Sequence, residues 1–360
     1  MDNESLLNLA PMIGAEQIAL LERLSNACGI SGDEGEVRTI ILEQVKPTVD
    51  EVRVDALGNV LAVRKARKET RLRLMVAAHM DEIGLILVEE EEGGLYRFEK
   101  IGGIDNRTLV GKMVLVGKDH LPGVIGARPI HLQEEGDDER AIPIDSLKID
   151  LGPGGKAKVG DRVAFATRFQ NLGVSLMGKA LDNRLGVAAL IELLKHPLEY
   201  ADLCAAFTVQ EELGGARGAR VAAHAFNPNA AFALDCTPAN DLPSWDGSEN
   251  VTYNTRLDAG AAVYVADRGT LSDPRLVQHV LDTASAAGIF CQVRQPGGGS
   301  TDAASIHRVR AGIPSLSIST PGRYLHTPVS IVRLADWQST LALVYLSLQR
   351  LTPDVLGQPR

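Results

Sequence analysis

Aromatic residues are scarce in this chain, 4% of 360 residues with two tryptophans, so aromatic platforms of the kind that stack on sugars have little material. Basic residues are in deficit, 37 Lys+Arg against 46 Asp+Glu for a formal charge of −9. Without a basic stripe to neutralise phosphates, nucleic acid and anionic membrane are poor partners. No apolar run reaches the roughly 18 residues of a spanning helix. The four cysteines, Cys28, Cys204, Cys236 and Cys291, are scattered and form no C-x-x-C. That argues against a disulfide scaffold or a zinc-finger-type site and for reduced, buried thiols. The amino end lacks the basic-then-apolar order of a secretory signal, so the expected location is cytoplasmic. What remains is an ordinary globular composition, 45% hydrophobic and 23% charged, with 35 glycines and length enough for two domains.

The chain opens with two helical patterns. AEQIALLERLSNACG is expected to run to Gly29, and DEGEVRTIILEQVKP to start at Asp33 and close at Pro47. VRVDALGNVLAVR alternates around Gly-Asn as a hairpin does. LRLMVAAHMDE is a continuous apolar run that turns polar abruptly, the pattern of a buried parallel strand with function at its carboxyl end. From about Leu85 to Leu172 short β-like runs separated by glycine, proline and charged turns (GLILV, LYRFEKIGG, KMVLVGK, GVIGARPIHL, DRVAFATRF) predict a small inserted β-barrel. The α/β rhythm then returns, with LDNRLGVAALIELLKH as a helix capped by Asp182, followed by LCAAFTVQEE, GARGARVAAHAF, AAFALDC, a helix over residues 273–287, SLSIST and a closing helix. The expected fold is a three-layer α/β/α domain of residues 1–84 and 173–360, interrupted by a β domain of residues 85–172.

Three strand candidates end in ionisable residues: His79 and Asp81, Glu211 and Glu212, and Asp235. SLSIST is followed by a loop histidine, His326, and Asp182 follows a Gly-containing turn. One such residue is ordinarily a cap, a surface charge or a satisfied core group. Five on one predicted sheet edge, where α/β folds bind ligands, are harder to dismiss. So many carboxylates would repel one another unless cations neutralised them, and imidazole with carboxylate suits zinc, cobalt or manganese. GGGSTDAASI lacks a following G-K-[ST], so it reads as a rim loop with Asp302 capping a helix rather than a phosphate cradle. His307, His120, His131, His196, His224 and His279 fall outside the strand-end pattern.

The ordered motifs AAHMDEIGLIL, GKALDNRLGVAALIELL, TVQEELGGARGA, ALDCTPAND, GGGSTDAASI and RYLHTPVSIV resemble those of the glutamyl aminopeptidase/cellulase M group, metallopeptidase family forty-two, which includes the tetrahedral (TET) aminopeptidases. The resemblance covers nearly the whole chain. It implies a zinc-peptidase-type catalytic domain with a PDZ-like dimerisation insert and two divalent metal ions per subunit. It also implies removal of single residues from peptides with free amino termini. By motif, His79 and Asp235 hold one metal, Asp182 bridges, and Glu212 and His326 hold the second. Glu211 is then the general base, and Asp81 orients His79. Which of the adjacent glutamates is base and which is ligand rests on the resemblance alone, because strand alternation would aim them at opposite faces. A homo-oligomer is implied, a dodecamer or else a dimer, since small β domains with exposed edges pair readily. IDLGPGGKAKVGD is shorter than its usual counterpart, and NTRLDAGAAV replaces a Leu-Gly-x-Gly-Pro pattern.

Three rival readings follow from the same residues. An endoglucanase-type glycoside hydrolase needs two carboxyls about 5–9 Å apart across a sugar, with aromatic support that this chain lacks. A binding or scaffold protein on a dead peptidase fold would ordinarily have lost a ligand. A deacylase or dipeptidase on the same core differs only in substrate.

Overall fold

The run LRLMVAAH alternates its side chains between two apolar layers, and that fixes the architecture. In the computed structural model, which describes residues 6–360 except 71, 133–141, 249, 252–253 and 296, strand β3 (Arg73–His79) is almost wholly buried. Leu74, Val76 and Ala78 pack into the larger core, Met75 and Ala77 into a smaller one on the opposite face. Strands β1 (Glu51–Val54) and β2 (Val60–Arg64) form the expected hairpin at the edge of the same sheet.

The chain leaves this sheet after His79 and builds a closed barrel of six antiparallel strands: β4 (Gly84–Glu91), β5 (Leu95–Ile101), β6 (Met113–Val116), β7 (Leu121–Gly126), β8 (Lys148–Asp150) and β9 (Arg162–Phe165). Its interior is filled by Leu85, Leu87, Tyr96, Phe98, Val114, Val116, Ile125, Ile149, Val163 and Phe165. Two features differ from the sequence expectation. Strand β8 was absent from it, because three residues are too few to show a period. The barrel is also closed, so the exposed edges invoked for pairing do not exist in it. In GVIGARPIHL only the first part is strand, and Ile130–Leu132 is a 3-10 turn.

Strands β10 (Gln170–Asn171) and β11 (Ser175–Gly178) rejoin the large sheet. β12 (Asp202–Thr208), β13 (Ala230–Pro238) and β16 (Ser315–Arg323) run parallel with β3 in the order β12-β3-β13-β16, and β17 (Ser330–Arg333) continues toward β11. β14 (Ala261–Val263) pairs with β16 and with β15 (Cys291–Val293). One face carries the helices Ala15–Asn26, Gly35–Val45, Leu181–Lys195, Pro274–Ala287 and Leu334–Arg350. The other carries Arg217–Phe226 and Ala303–Ile306. The first helix stops three residues before Gly29, where Ala27 turns extended, and the second starts at Gly35 rather than Asp33. The four cysteines are free. No helix among the described residues is long and apolar enough to cross a membrane.

Beneath the carboxyl edge of β3 lies a buried ion cluster that sequence reading did not anticipate. Glu82 accepts from Lys179 Nζ at 2.8 Å through both oxygens, from Arg184 Nη2 at 3.0 Å and from the Gly29 amide at 2.9 Å. Lys179 also reaches the Ala27 carbonyl at 2.7 Å, and Arg184 reaches the carbonyls of Leu24 and Met80. These side chains are at most 2% exposed. One carboxylate thus ties the first helix, the exit from β3 and the start of the helix after β11, and two of those segments carry site residues. Glu82→Gln leaves two buried cations around a neutral amide and is expected to cost about 3–5 kcal/mol in chemical denaturation. Breaking the exposed Arg23–Glu43 pair by Glu43→Ala is expected to cost under about 1 kcal/mol.

Candidate active site

The parity of β3 that sends Met75 and Ala77 to the smaller core carries His79 on the same side. The parity of β13 puts Asp235 with Ala231 in the equivalent position. His79 Nε2 lies 3.4 Å from Asp235 Oδ1 and 3.3 Å from Asp182 Oδ1. Asp182 Oδ2 faces the second histidine, 3.8 Å from His326 Nε2, which is in turn 3.6 Å from Glu212 Oε2. A single carboxylate therefore spans two His/carboxylate clusters. β12 ends at Thr208, and Gln210 takes a left-handed conformation, so Glu211 and Glu212 escape strand alternation and both line the same cleft. Asp81 holds this turn, accepting from the amides of Glu211 and Glu212 at 3.1 Å each and from Ser31 Oγ at 2.5 Å.

The histidines share one pattern. Nδ1 of His79 lies 3.2 Å from the Asp81 carbonyl, and Nδ1 of His326 lies 2.9 Å from the carbonyl of Gly103, just beyond β5 of the barrel. With Nδ1 held by a carbonyl, each Nε2 is aimed at the carboxylates, a donor to them while the ring is protonated and a ligand for a cation once it is neutral.

The carboxylates are too crowded to be ionised together. Burial, reinforced by Asp235, Glu212 and Asp302, pushes Glu211 well above the usual range against the opposing influence of His79. Burial, with the charges of Asp182 and Asp81, pushes Glu212 up to about 8, and burial with Asp182 pushes Asp235 up to about 7. Burial also opposes ionisation of Asp182, but bonding to His79 outweighs it and keeps that pKa low. His79 is raised well above its ordinary value despite its burial, by bonds to Asp182, Asp235 and Asp81. Asp182 Oδ1 is buried, and the His79 ring at 3.3 Å, not aligned as a good hydrogen bond, is its close polar neighbour. One ligand atom each from His79, Asp182 and Glu212 lies within 4.8 Å of the others. A buried, poorly satisfied carboxylate oxygen amid imidazoles and like charges fits divalent cations of the zinc, cobalt or manganese kind.

Some readings are corrected by this geometry. Asp182 does not cap its helix: its backbone is non-helical, and its carboxylate faces the histidines. Asp235 is not at a strand end, since β13 continues to Pro238. Asp302 makes no cap bond. It is buried and accepts from Thr208 Oγ1 at 2.6 Å, and burial pushes it up to about 6. His120, set aside earlier, pairs with Glu36 at 2.6 Å beside Cys28, whose thiol burial pushes up to about 11 and so keeps protonated. Ser31, Gly103, Tyr264 and Arg294 were not anticipated, because each acts from a segment with no local signal.

The site opens into a cleft of about 650 Å³ whose walls include Asn254, Tyr264, Arg294, Gly297–Gly299 and Arg323. The family profile described as M42 glutamyl aminopeptidase matches residues 58–343. A lysyl aminopeptidase of Pyrococcus furiosus is 32% identical over 348 residues, 93% of this chain and 97% of that protein. Among solved structures, an aminopeptidase from the archaeon Desulfurococcus kamchatkensis is 33% identical with a TM-score of 0.88, over 95% of this chain and 96% of that one. The TET1 peptidase of Pyrococcus horikoshii, which can assemble into a tetrahedron or a large octahedral shell, is 33% identical with a TM-score of 0.81, over 93% of this chain and all of that one. The mixed α/β fold with its closed barrel is thus that of the TET aminopeptidases, and the chain belongs to the M42 glutamyl aminopeptidase family.

Proposed function

We propose that the protein is a metal-dependent aminopeptidase with a dinuclear centre, releasing single residues from peptides with free amino termini. The observation that carries this reading is the placement of the two Asp182 oxygens, one toward His79 and one toward His326. His79, Asp235 and Asp182 would hold one cation, and Asp182, Glu212 and His326 the other. Divalent ions bound there would supply Lewis acidity, polarising a carbonyl and lowering the pKa of water.

The chain's own groups account for the rest. Glu211 lines the cleft without a ligand's place in either cluster, so its carboxylate takes the proton of the attacking water and passes it to the nitrogen of the leaving amine. Asp81 holds the backbone of Glu211 and the ring of His79 together, so base and ligand keep one geometry. A free α-amine has a lone pair to offer a cation held on this floor, and an acylated nitrogen does not. The free thiols accord with a cytoplasmic location. Homo-oligomerisation, as a dodecamer in preference to a dimer, belongs to the same proposal; sedimentation distinguishes these from a monomer, which would contradict it.

Peptides with free amino termini should be cleaved, activity should disappear on chelation and return with zinc, cobalt or manganese, and N-acetylated peptides should be poor substrates. Equal cleavage of free and acetylated peptides would refute this reading. Glu211→Gln should lower turnover by about 10²–10⁴-fold, because an amide cannot accept the proton. Its metal content should remain that of the parent. Glu212→Gln should shed a metal, with rate falling as a consequence. A Glu211→Gln protein that keeps near-parent turnover, or one that loses metal, would reverse the two roles.

A further inference from the structure

Apart from the catalytic cluster, one other trio of metal-ligating side chains comes together among the described residues: Cys28, Glu36 and His120, with one donor atom of each within 4.8 Å of the others. Three segments bring them there. Cys28 follows the first helix, Glu36 stands in the first turn of the second, and His120 lies in the turn between β6 and β7 of the barrel. The trio thus joins the helical layer to the barrel. Glu36 serves both neighbours, Oε2 accepting from the Cys28 amide at 3.0 Å and Oε1 lying 2.6 Å from His120 Nε2. His120 reaches it from a left-handed backbone, φ 51°, which histidine adopts more readily than most residues. Beside the trio is a cavity of about 10 Å³, lined by Cys28, Glu36, Asp33 and Lys118 among others, with room for about one water-sized sphere. Of the cations on its wall, Lys118 pairs with Asp33, and Arg162 donates to the Gly160 carbonyl at 2.8 Å. Among the described residues neither forms an ion pair with Glu36, whose charge remains available.

We propose that Cys28, Glu36 and His120 form a separate site for one divalent cation of the zinc or cobalt kind, clasping the first two helices to the barrel. One sulfur, one imidazole nitrogen and one carboxylate oxygen suit a borderline-soft ion, and water would complete a tetrahedron. With metal bonds of about 2.0–2.3 Å, the donor atoms of such a site stand about 3.3–3.6 Å apart. The ring and the carboxylate, now at hydrogen-bond distance, have to part by about 1 Å or less. Their side chains are 39% and 37% exposed and are free to make that turn. The cation displaces the thiol proton and the hydrogen that joins ring to carboxylate. The clasp also reaches the catalytic turn. In the residues that follow Cys28, the Gly29 amide donates to Glu82 at 2.9 Å and Ser31 Oγ donates to Asp81 at 2.5 Å. A cation on Cys28 therefore steadies the segment on which the turn of Glu211 and Glu212 depends.

The test is a cobalt titration of the metal-free full chain, its Cys28→Ser variant and its His120→Asn variant, followed by ultraviolet absorption. Only a thiolate ligand gives the sulfur-to-cobalt charge-transfer band, and the catalytic donors proposed above are imidazoles and carboxylates. The parent is expected to develop that band with one cobalt per chain, and zinc should abolish it by displacement. Cys28→Ser should lack the band and hold one cobalt fewer after dialysis. His120→Asn keeps a residue that tolerates the left-handed backbone, which guards against a misfolded serine variant. It should bind the band-forming cobalt more weakly by upwards of the 10–100-fold (roughly) that removing an outer-shell partner costs. In thermal unfolding the parent should gain more from added zinc than either variant. A parent that binds cobalt without the band overturns the proposal, leaving the trio a hydrogen-bonded contact only. A band that persists in Cys28→Ser also overturns it, since Cys236, which lines the cleft, would then be the ligand. Equal gains from zinc in all three proteins would overturn it as well.

Discussion

Four carboxylates, Asp182, Glu211, Glu212 and Asp235, line one cleft with two imidazoles, and their mutual repulsion is the constraint on which the rest of the site depends. Without cations the cluster must retain protons, which is why Glu212 and Asp235 are pushed up to about 8 and about 7, burial being the largest cause for each. Two positive ions would remove that conflict, and Asp182, with Oδ1 toward His79 and Oδ2 toward His326, is placed to serve both. A site of this kind stores its assembly cost in the fold, because each charged group has to be held in place before any ion arrives.

The fold does this holding with remote parts. Glu82 clamps Lys179 and Arg184 beneath the site, so the segments that carry His79 and Asp182 meet over a buried ion cluster of one net positive charge rather than over loose loops. The barrel contributes the Gly103 carbonyl that sets the ring of His326, so the inserted β module takes part in the site as well as in the fold. Thr208, the last residue of β12, anchors Asp302, and the glycine-rich segment that precedes Asp302 forms a wall of the cleft.

Much of this was readable from the chain because apolar periodicity and motif order are local signals. The buried strand ending at His79, the hairpin of VRVDALGNVLAVR, the β-rich insert and the helix after LDNR all follow from such patterns. Each of the residues expected at the site lines the cleft, apart from Asp81, which lies behind it and holds the turn of Glu211 and Glu212. What was not legible depended on long-range contact. Whether Asp182 caps its helix or faces two histidines depends on the backbone at a helix start, and a capping residue and a ligand look alike in sequence. Glu82 reads as one more acid in HMDE until Lys179 and Arg184 are brought to it. Arg294 has no local signal, since its place in the cleft wall comes from Tyr264, Thr237 and Gly298, the first two of which reach it from distant strand regions. The barrel was expected, but the strand that completes its pairing was hidden, because β8 is only three residues long.

The central claim is that Asp182 joins two cation sites. The most direct measurement is anomalous diffraction from crystals of the protein loaded with zinc or cobalt, collected on both sides of the metal absorption edge. The account predicts two peaks per chain, one between His79 and Asp235 and one between Glu212 and His326, with one oxygen of Asp182 on each. A single peak, or two peaks that leave Asp182 unligated, would contradict it.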